Sequence, residues 1–84
     1  MKITGIVQGV NFRFTARDRA NSLGLAGFAK NLPDGSLEIL VQGDEDAIAS
    51  FVSWCHQGPP AAKVENVHTE WENAAVVLSN FNIL

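Results

Sequence analysis

The residues best suited to chemistry in this sequence lie in one stretch near its start, Gly5–Arg13, which reads GIVQGVNFR. It predicts a short apolar strand that bends at Gly9 and continues directly into a helix. The first N–H groups of a helix lack intrahelical partners, and the positive end of the helix dipole points the same way. Arg13 falls in the first turn, where its side chain leans back over the bend and offers a planar pair of donors. This combination indicates a binding site for an anion such as phosphate.

The same stretch also has a purely structural interpretation. A single glycine between a strand and a helix is common in packing turns. The position of Arg13 argues against a simple packing turn. A cation in the first helical turn is unfavourable next to the positive end of the dipole unless an anion is bound there.

The elements that must position this stretch alternate between strands and helices. In chain order they are a strand over residues 2–7, a helix from Phe12 to Leu23 capped by Gly24, a hairpin of Leu25–Asn31 and Ser36–Gln42, a helix from Asp44 to before Gly58, and strands over Lys63–Trp71 and Val76–Leu84. This order predicts an α/β (α+β) sandwich of the ferredoxin-like βαββαβ type with a short fifth strand, in which two helices cover one face of an antiparallel sheet. Gly5, inside the first strand, predicts a bulge or a close backbone approach.

That topology makes the first two strands parallel, so their carboxyl ends meet at one edge of the sheet with one strand between them. These ends, at residues 7–8 and 30–31, are then about 10 Å apart, which leaves room for a phosphate and a water. Asn31 therefore becomes a second candidate site residue. From topology alone we favour a local turn-capping hydrogen bond for its side chain, because it directly precedes the turn Leu32–Gly35.

Length and composition exclude several classes of protein. The 84 residues, of which 46% are hydrophobic, suffice for a single domain over residues 1–84 with one core. A formal net charge of −3 argues against a nucleic-acid partner, which needs a basic face. No apolar run is long enough for a membrane span and the N-terminus lacks a signal-peptide pattern, so we expect a cytoplasmic protein.

The remaining chemically distinctive side chains have structural interpretations. Cys55 is the single cysteine and lies on the apolar stripe of the second helix, so we expect a core residue and no disulfide. His56 and His68 stand apart without further ligands at metal spacing, and no metal or cofactor is predicted. Trp54 and Trp71 are predicted to be packing residues.

Two motifs resemble the signatures of the acylphosphatase family. They are Gly5-x-Val7-Gln8-Gly9-Val10-x-Phe12-Arg13 and Gly27-Phe28-Ala29-Lys30-Asn31-x-x-x-Gly35, followed by Gly43. With further matches at Leu23-Gly24-Leu25 and Gly58-Pro59, the resemblance covers almost the whole chain. Asn11 stands at a loop position where the family often has glycine.

The resemblance implies an enzyme that hydrolyses the carboxyl–phosphate anhydride bond of acyl phosphates, giving a carboxylate and inorganic phosphate without metal or cofactor. It assigns phosphate binding to a cradle of loop N–H groups formed by Gln8, Gly9, Val10, Asn11, Phe12 and Arg13. Arg13 and Asn31 match the family's catalytic residues, an arginine that binds phosphate and an asparagine that holds the attacking water. In such enzymes the substrate's own phosphate is thought to take the water's proton.

The expected partners are a small acyl phosphate and inorganic phosphate, as product or inhibitor, with the protein a monomer. The alternative is a non-catalytic acylphosphatase-like module for phosphate or anion binding or for interaction. The presence of both Arg13 and Asn31, and the lack of a linker or second domain in this sequence, favour the enzyme. A ferredoxin-like RNA binder would need paired exposed aromatics and a basic surface, and neither is visible. Nothing outside the two motifs identifies the acyl group.

Overall fold

The computed structural model describes residues 1–72 and 76–84. Its elements are β1 (Lys2–Ile6), α1 (Phe12–Ser22), β2 (Ala26–Asn31), β3 (Leu37–Gln42), α2 (Glu45–Gln57), β4 (Lys63–His68) and β5 (Phe81–Ile83). The predicted order of elements is confirmed. The last two strands are shorter than predicted, since β4 ends at His68 and residues 76–80 lie outside β5.

The strands form one sheet in the order β4-β1-β3-β2-β5. All neighbouring pairs are antiparallel except β2 and β5, which are parallel. The sheet is therefore mostly antiparallel, as predicted, with one parallel pair at the edge. The reason is that β4 ends at the side of the sheet where β2 begins, so the returning chain enters β5 in the direction of β2.

The core lies between the two helices and one face of the sheet, which confirms the ferredoxin-like sandwich. Phe12 from α1 and Phe51 from α2 are fully buried in it. Trp54 packs as predicted, with its ring edge-on to Phe12 at 5.4 Å between centroids, an arrangement that adds roughly 0.5–1.5 kcal/mol to the area term. Trp71 is 72% exposed, so the prediction that it packs is wrong. It follows the end of β4, beyond the part of the chain that the helices cover.

Cys55 lies in the same core with 0% exposure, which confirms its predicted structural place in α2. Burial in apolar surroundings raises the pKa of its thiol to about 12, because the charged thiolate is poorly solvated there. The thiol is therefore protonated and shielded at neutral pH.

A local irregularity in β1 shapes the strand that leads to the predicted site. The pairing of β1 with β4 shifts register between Thr4 and Gly5, and Gly5 has φ 122°. A Cβ atom at Gly5 would overlap the carbonyl oxygen of Lys63. The predicted close backbone approach at Gly5 is thus confirmed, and any side chain there would displace β1 from β4.

Candidate active site

The loop between β1 and α1 presents a set of unpaired backbone donors. Gly9 and Asn11 have φ of 73° and 67°, and these two left-handed residues turn the chain from strand to helix. Asn11 is the N-cap of α1 but makes no side-chain capping hydrogen bond, and the first turn contains no acidic residue. Among the described residues, no carbonyl or side chain accepts a hydrogen bond from the N–H groups of residues 8–13. Concave runs of such donors at a helix start are anion-binding sites.

Asn11 adopts the conformation that glycine would provide at this position. Its φ of 67° and ψ of 22° are left-handed, and asparagine tolerates this region better than most side chains. Its carbonyl oxygen accepts hydrogen bonds from the backbone N–H of Thr15 at 3.1 Å and from Thr15 Oγ1 at 2.8 Å. Asn11 therefore starts the helix in a backbone conformation that glycine also adopts.

Arg13 lies in the first turn of α1, as predicted, and its guanidinium has a partner that the sequence did not suggest. Its Nη1 donates a 2.9 Å hydrogen bond to the backbone oxygen of Leu84, just after β5. Residue 84 is held in turn by its own N–H, which donates to the carbonyl oxygen of Ala29 in β2 at 2.9 Å. Because a guanidinium has five N–H groups, this single contact orients Arg13 and leaves donors for a ligand.

Asn31 is the last residue of β2 and carries a buried acceptor without a donor. Its Oδ1 is buried and finds no hydrogen-bond partner within residues 1–72 and 76–84. A buried acceptor left unpaired costs about 1–3 kcal/mol, which favours any donor that reaches it.

The turn-capping role that topology favoured for Asn31 belongs to another side chain. Asp34 accepts hydrogen bonds from the backbone N–H of Ser36 at 2.9 Å and from its hydroxyl. These bonds, with a smaller contribution from Lys2, hold the pKa of Asp34 well below its usual range. The turn therefore closes without the side chain of Asn31.

The side chain of Gln8 connects the two halves of the candidate site. Its Nε2 donates to the carbonyl oxygens of Leu32 at 2.7 Å and Ser36 at 2.9 Å, which lie in the turn directly after Asn31. Both amide hydrogens are thereby used, so Gln8 has only its backbone N–H left for the cradle.

Cross-strand pairing explains why such a connection is needed. Ile3 in β1, Leu37 in β3 and Asn31 in β2 lie in one row across the sheet. The end of β1 therefore extends past the end of β2 along the strand direction. The predicted separation of about 10 Å between these two ends counted only the spacing between strands and omitted this offset. Gln8 closes the gap by contacting the hairpin turn.

The other predicted cradle residues are placed by packing. Phe12 is buried and Val10 packs against the core, so each offers the site only its backbone.

In the described ranges, no group of three His, Cys, Asp or Glu side chains is arranged to hold a metal ion. Within the same residues, no helix is long and apolar enough to cross a membrane.

A ferredoxin-like sandwich with unpaired N–H groups and an arginine at the start of its first helix is a candidate anion-binding α/β domain. Comparison with known proteins gives its family: the acylphosphatase family model matches residues 1–83. The chain belongs to the acylphosphatase family, a family of enzymes.

Individual relatives agree with this assignment. An acylphosphatase of Anaeromyxobacter dehalogenans is 47% identical over 81 residues, covering 96% of this chain and 87% of the relative. One of Trichormus variabilis is 50% identical over 70 residues, covering 83% of this chain and 69% of the relative. The crystal structure of acylphosphatase from Bacillus subtilis superposes with a TM-score of 0.95 at 36% identity, covering 99% of this chain and 92% of that one.

The fold also occurs as a small part of much longer proteins. The crystal structure of HypF from T. kodakarensis matches with a TM-score of 0.87 at 29% identity, covering 100% of this chain but 12% of that one. A full-length HypF in a phosphate- and nucleotide-bound form matches with a TM-score of 0.84 at 30% identity, covering 99% of this chain and 11% of that one.

Proposed function

We propose that this protein hydrolyses acyl phosphates at the carboxyl–phosphate anhydride bond, releasing a carboxylate and inorganic phosphate. Family membership and the names of its relatives support the reaction class. The observation that carries the hydrolytic mechanism is the buried, unpaired Oδ1 of Asn31 beside the turn that Gln8 ties to the cradle.

The cradle binds the phosphoryl group of the substrate. The N–H groups of residues 8–13 and the positive end of α1 surround its non-bridging oxygens, and the Arg13 guanidinium adds a charge-assisted pair of hydrogen bonds. These donors are fixed before the substrate arrives, because the loop is set by Gly9 and Asn11 and the guanidinium is oriented by Leu84. Preorganised donors stabilise the charge that develops on the phosphoryl oxygens in the transition state.

Asn31 holds the nucleophile. Its Oδ1 accepts one O–H of a water, which directs the water's lone pair toward the phosphorus. The water oxygen bonds to phosphorus, the bond from phosphorus to the acyl oxygen breaks, and the carboxylate leaves with the bonding electron pair. The proton of the water passes to a phosphoryl oxygen. Among the described residues, neither Arg13 nor Asn31 is hydrogen-bonded to a carboxylate side chain or an imidazole, in keeping with this route.

We also propose the domain organisation, oligomeric state, location and cofactor requirement of the working protein. Residues 1–84 act as a single catalytic domain, as a monomer in the cytoplasm, and the reaction needs neither a metal ion nor an organic cofactor. Dependence of turnover on an added metal or on protein concentration would contradict these points.

A second candidate function is a non-catalytic anion-binding module. The match to HypF favours it, since the same fold makes up 12% and 11% of those chains and one of them was solved with phosphate and nucleotide bound. In this reading the cradle and Arg13 would bind phosphate, and Asn31 would have no role.

Hydrolysis of a simple substrate separates the two candidates. Purified protein is incubated with acetyl phosphate or benzoyl phosphate in the presence of EDTA, and phosphate release is measured. We expect turnover in wild type and in Arg19→Ala, which removes the same charge from the last turn of α1, and none above background in Arg13→Ala. Binding of phosphate by wild type without turnover of either substrate would establish the module instead.

A further inference from the structure

The carbonyl group of Asn11 accepts two hydrogen bonds from a single residue of α1. One comes from the backbone N–H of Thr15 at 3.1 Å, and the other comes from Thr15 Oγ1 at 2.8 Å. The first is the bond that begins the helix, and the second is added by the side chain. A threonine hydroxyl commonly bonds the carbonyl four residues earlier in a helix. The consequence here depends on the peptide unit that receives the bond.

That peptide unit also contains one of the donors of the proposed cradle. The carbonyl of Asn11 and the N–H of Phe12 belong to the same planar trans peptide group, so they point in opposite directions. Because the carbonyl is held along the helix by Thr15, the N–H of Phe12 is directed back toward the loop. Within residues 1–72 and 76–84, no acceptor takes a hydrogen bond from this N–H, which leaves it for a ligand.

The conformation of Asn11 explains why the start of α1 needs this restraint. Its φ of 67° and ψ of 22° are left-handed, and such a conformation persists in a residue other than glycine only where the surroundings hold it. The side chain of Asn11 makes no capping bond, and the first turn has no acidic residue that could complete a capping box. The two bonds from Thr15 therefore hold this peptide in place of a side-chain cap.

The two bonds also change the strength of the donor in the same peptide unit. Hydrogen bonds accepted by a carbonyl draw electron density toward its oxygen and make the N–H of that peptide more polar. A more polar N–H forms a stronger hydrogen bond to an anion. The hydroxyl of Thr15 thus acts on both the direction and the strength of the Phe12 N–H.

We propose that Thr15 is a positioning residue of the phosphate cradle, whose hydroxyl orients and strengthens the Phe12 N–H through the carbonyl of Asn11. This inference rests on the proposed cradle at residues 8–13. Thr15 acts through Asn11 and does not itself contact the anion. Its loss should therefore weaken phosphate binding without abolishing it, in contrast to the loss of Arg13.

Binding of inorganic phosphate tests this role independently of turnover. Dissociation constants are measured by calorimetric titration for wild type, Thr15→Val, Thr15→Ser and the control Ser22→Ala. Thr15→Val keeps the shape of the side chain and the backbone bond but removes the hydroxyl, whereas Thr15→Ser keeps the hydroxyl. The control removes a matched hydroxyl, because Ser22 Oγ donates to the carbonyl oxygen of Arg19 at 2.8 Å in the last turn of α1. NMR spectra of each protein, with and without saturating phosphate, follow the amide proton of Phe12.

We expect Thr15→Val to bind phosphate about three- to tenfold more weakly than wild type, the effect of one hydrogen bond. The shift of the Phe12 amide proton on phosphate binding should also become smaller in this variant. Thr15→Ser and Ser22→Ala should match wild type in both measurements. Wild-type affinity in Thr15→Val, or equal losses in Thr15→Val and Thr15→Ser, would overturn the role of the hydroxyl, as would a wild-type protein that bound no phosphate. If the variants behave as expected but no acyl phosphate is hydrolysed, the positioning role stands and the proposed hydrolysis fails.

Discussion

Gln8 and Leu32 are joined by a 2.7 Å hydrogen bond from Nε2 to the backbone carbonyl oxygen, across the gap between the cradle loop and the hairpin turn. Leu32 directly follows Asn31, so this bond links the loop proposed to bind phosphate to the residue proposed to hold the water. The second bond of Nε2, to Ser36, fixes the other side of the same turn. We therefore propose that Gln8 is a positioning residue whose side chain sets the distance between the two halves of the candidate site.

Replacement of Gln8 should reduce turnover more than it reduces phosphate binding. Gln8→Met keeps the length of the side chain but removes both donors, so the turn carrying Asn31 can move relative to the loop. We expect kcat to fall about tenfold or more, with the inhibition constant of phosphate within a few fold of wild type. The loss of two partly buried hydrogen bonds should also lower the free energy of unfolding by about 1–3 kcal/mol.

The control for this variant is Gln57→Met, at the exposed end of α2, which should change neither quantity. Steady-state kinetics with phosphate as inhibitor and urea unfolding provide the measurements. A Gln8→Met protein that lost stability but kept the wild-type kcat would show that the side chain only supports the fold.

Arg13 should contribute to ground-state binding as well as to turnover. Arg13→Ala removes charge-assisted hydrogen bonds worth roughly 1.5–3 kcal/mol each, so both phosphate affinity and kcat/KM should fall sharply. Arg13→Lys should restore little, because an ammonium cannot provide the planar pair of donors. Calorimetric titration with phosphate is the check, with Arg19→Ala as the charge-matched control. Retention of wild-type phosphate affinity in Arg13→Ala would remove the arginine from the cradle.

Cys55 should be unreactive in the folded protein, because it is fully buried and its thiol pKa is raised to about 12. The fold favours the neutral thiol, so this group's contribution to stability is complete below the ordinary thiol pKa and is lost as the pH rises toward 12. At pH 8, alkylation by iodoacetamide should therefore be slow in buffer and fast in urea. Rapid alkylation of the native protein with loss of activity would contradict this placement.

Cys55→Ser should lower the free energy of unfolding by about 1–3 kcal/mol, because it buries a hydroxyl in an apolar cluster. It should leave the kcat of the remaining folded protein unchanged. Urea unfolding and kinetics on the same preparation separate the two effects.

The sequence was sufficient for the order of elements and for the conformation of the cradle loop. Strand and helix patterns are local, and Gly9 and Asn11 are among the few residue types that adopt positive φ readily. The partners of side chains were harder to predict. The bonds from Gln8 to Leu32 and from Arg13 to Leu84 depend on cross-strand register and on the path of β5, which no local pattern specifies. For the same reason topology alone favoured, for the Asn31 side chain, a turn bond that Asp34 makes.

Two other errors share a physical cause. Trp71 and Val76–Leu78 are apolar and were predicted to pack or to form strand, but they lie outside β4 and β5. Hydrophobicity predicts burial only where a second layer is available to cover the residue. Here the path of the chain from β4 to β5 determined whether Trp71 and Val76–Leu78 were covered.

Substitution of Asn31 tests most directly whether this residue holds the attacking water. Steady-state hydrolysis of benzoyl phosphate, with phosphate as competitive inhibitor, is measured for wild type, Asn31→Ala and the control Asn66→Ala on the exposed part of β4. Circular dichroism confirms that each variant is folded. We expect Asn31→Ala to lower kcat by on the order of 10²-fold while the phosphate inhibition constant stays within a few fold of wild type. A near wild-type kcat in Asn31→Ala would contradict the mechanism, because the site would then bind phosphate without any residue that positions the nucleophile.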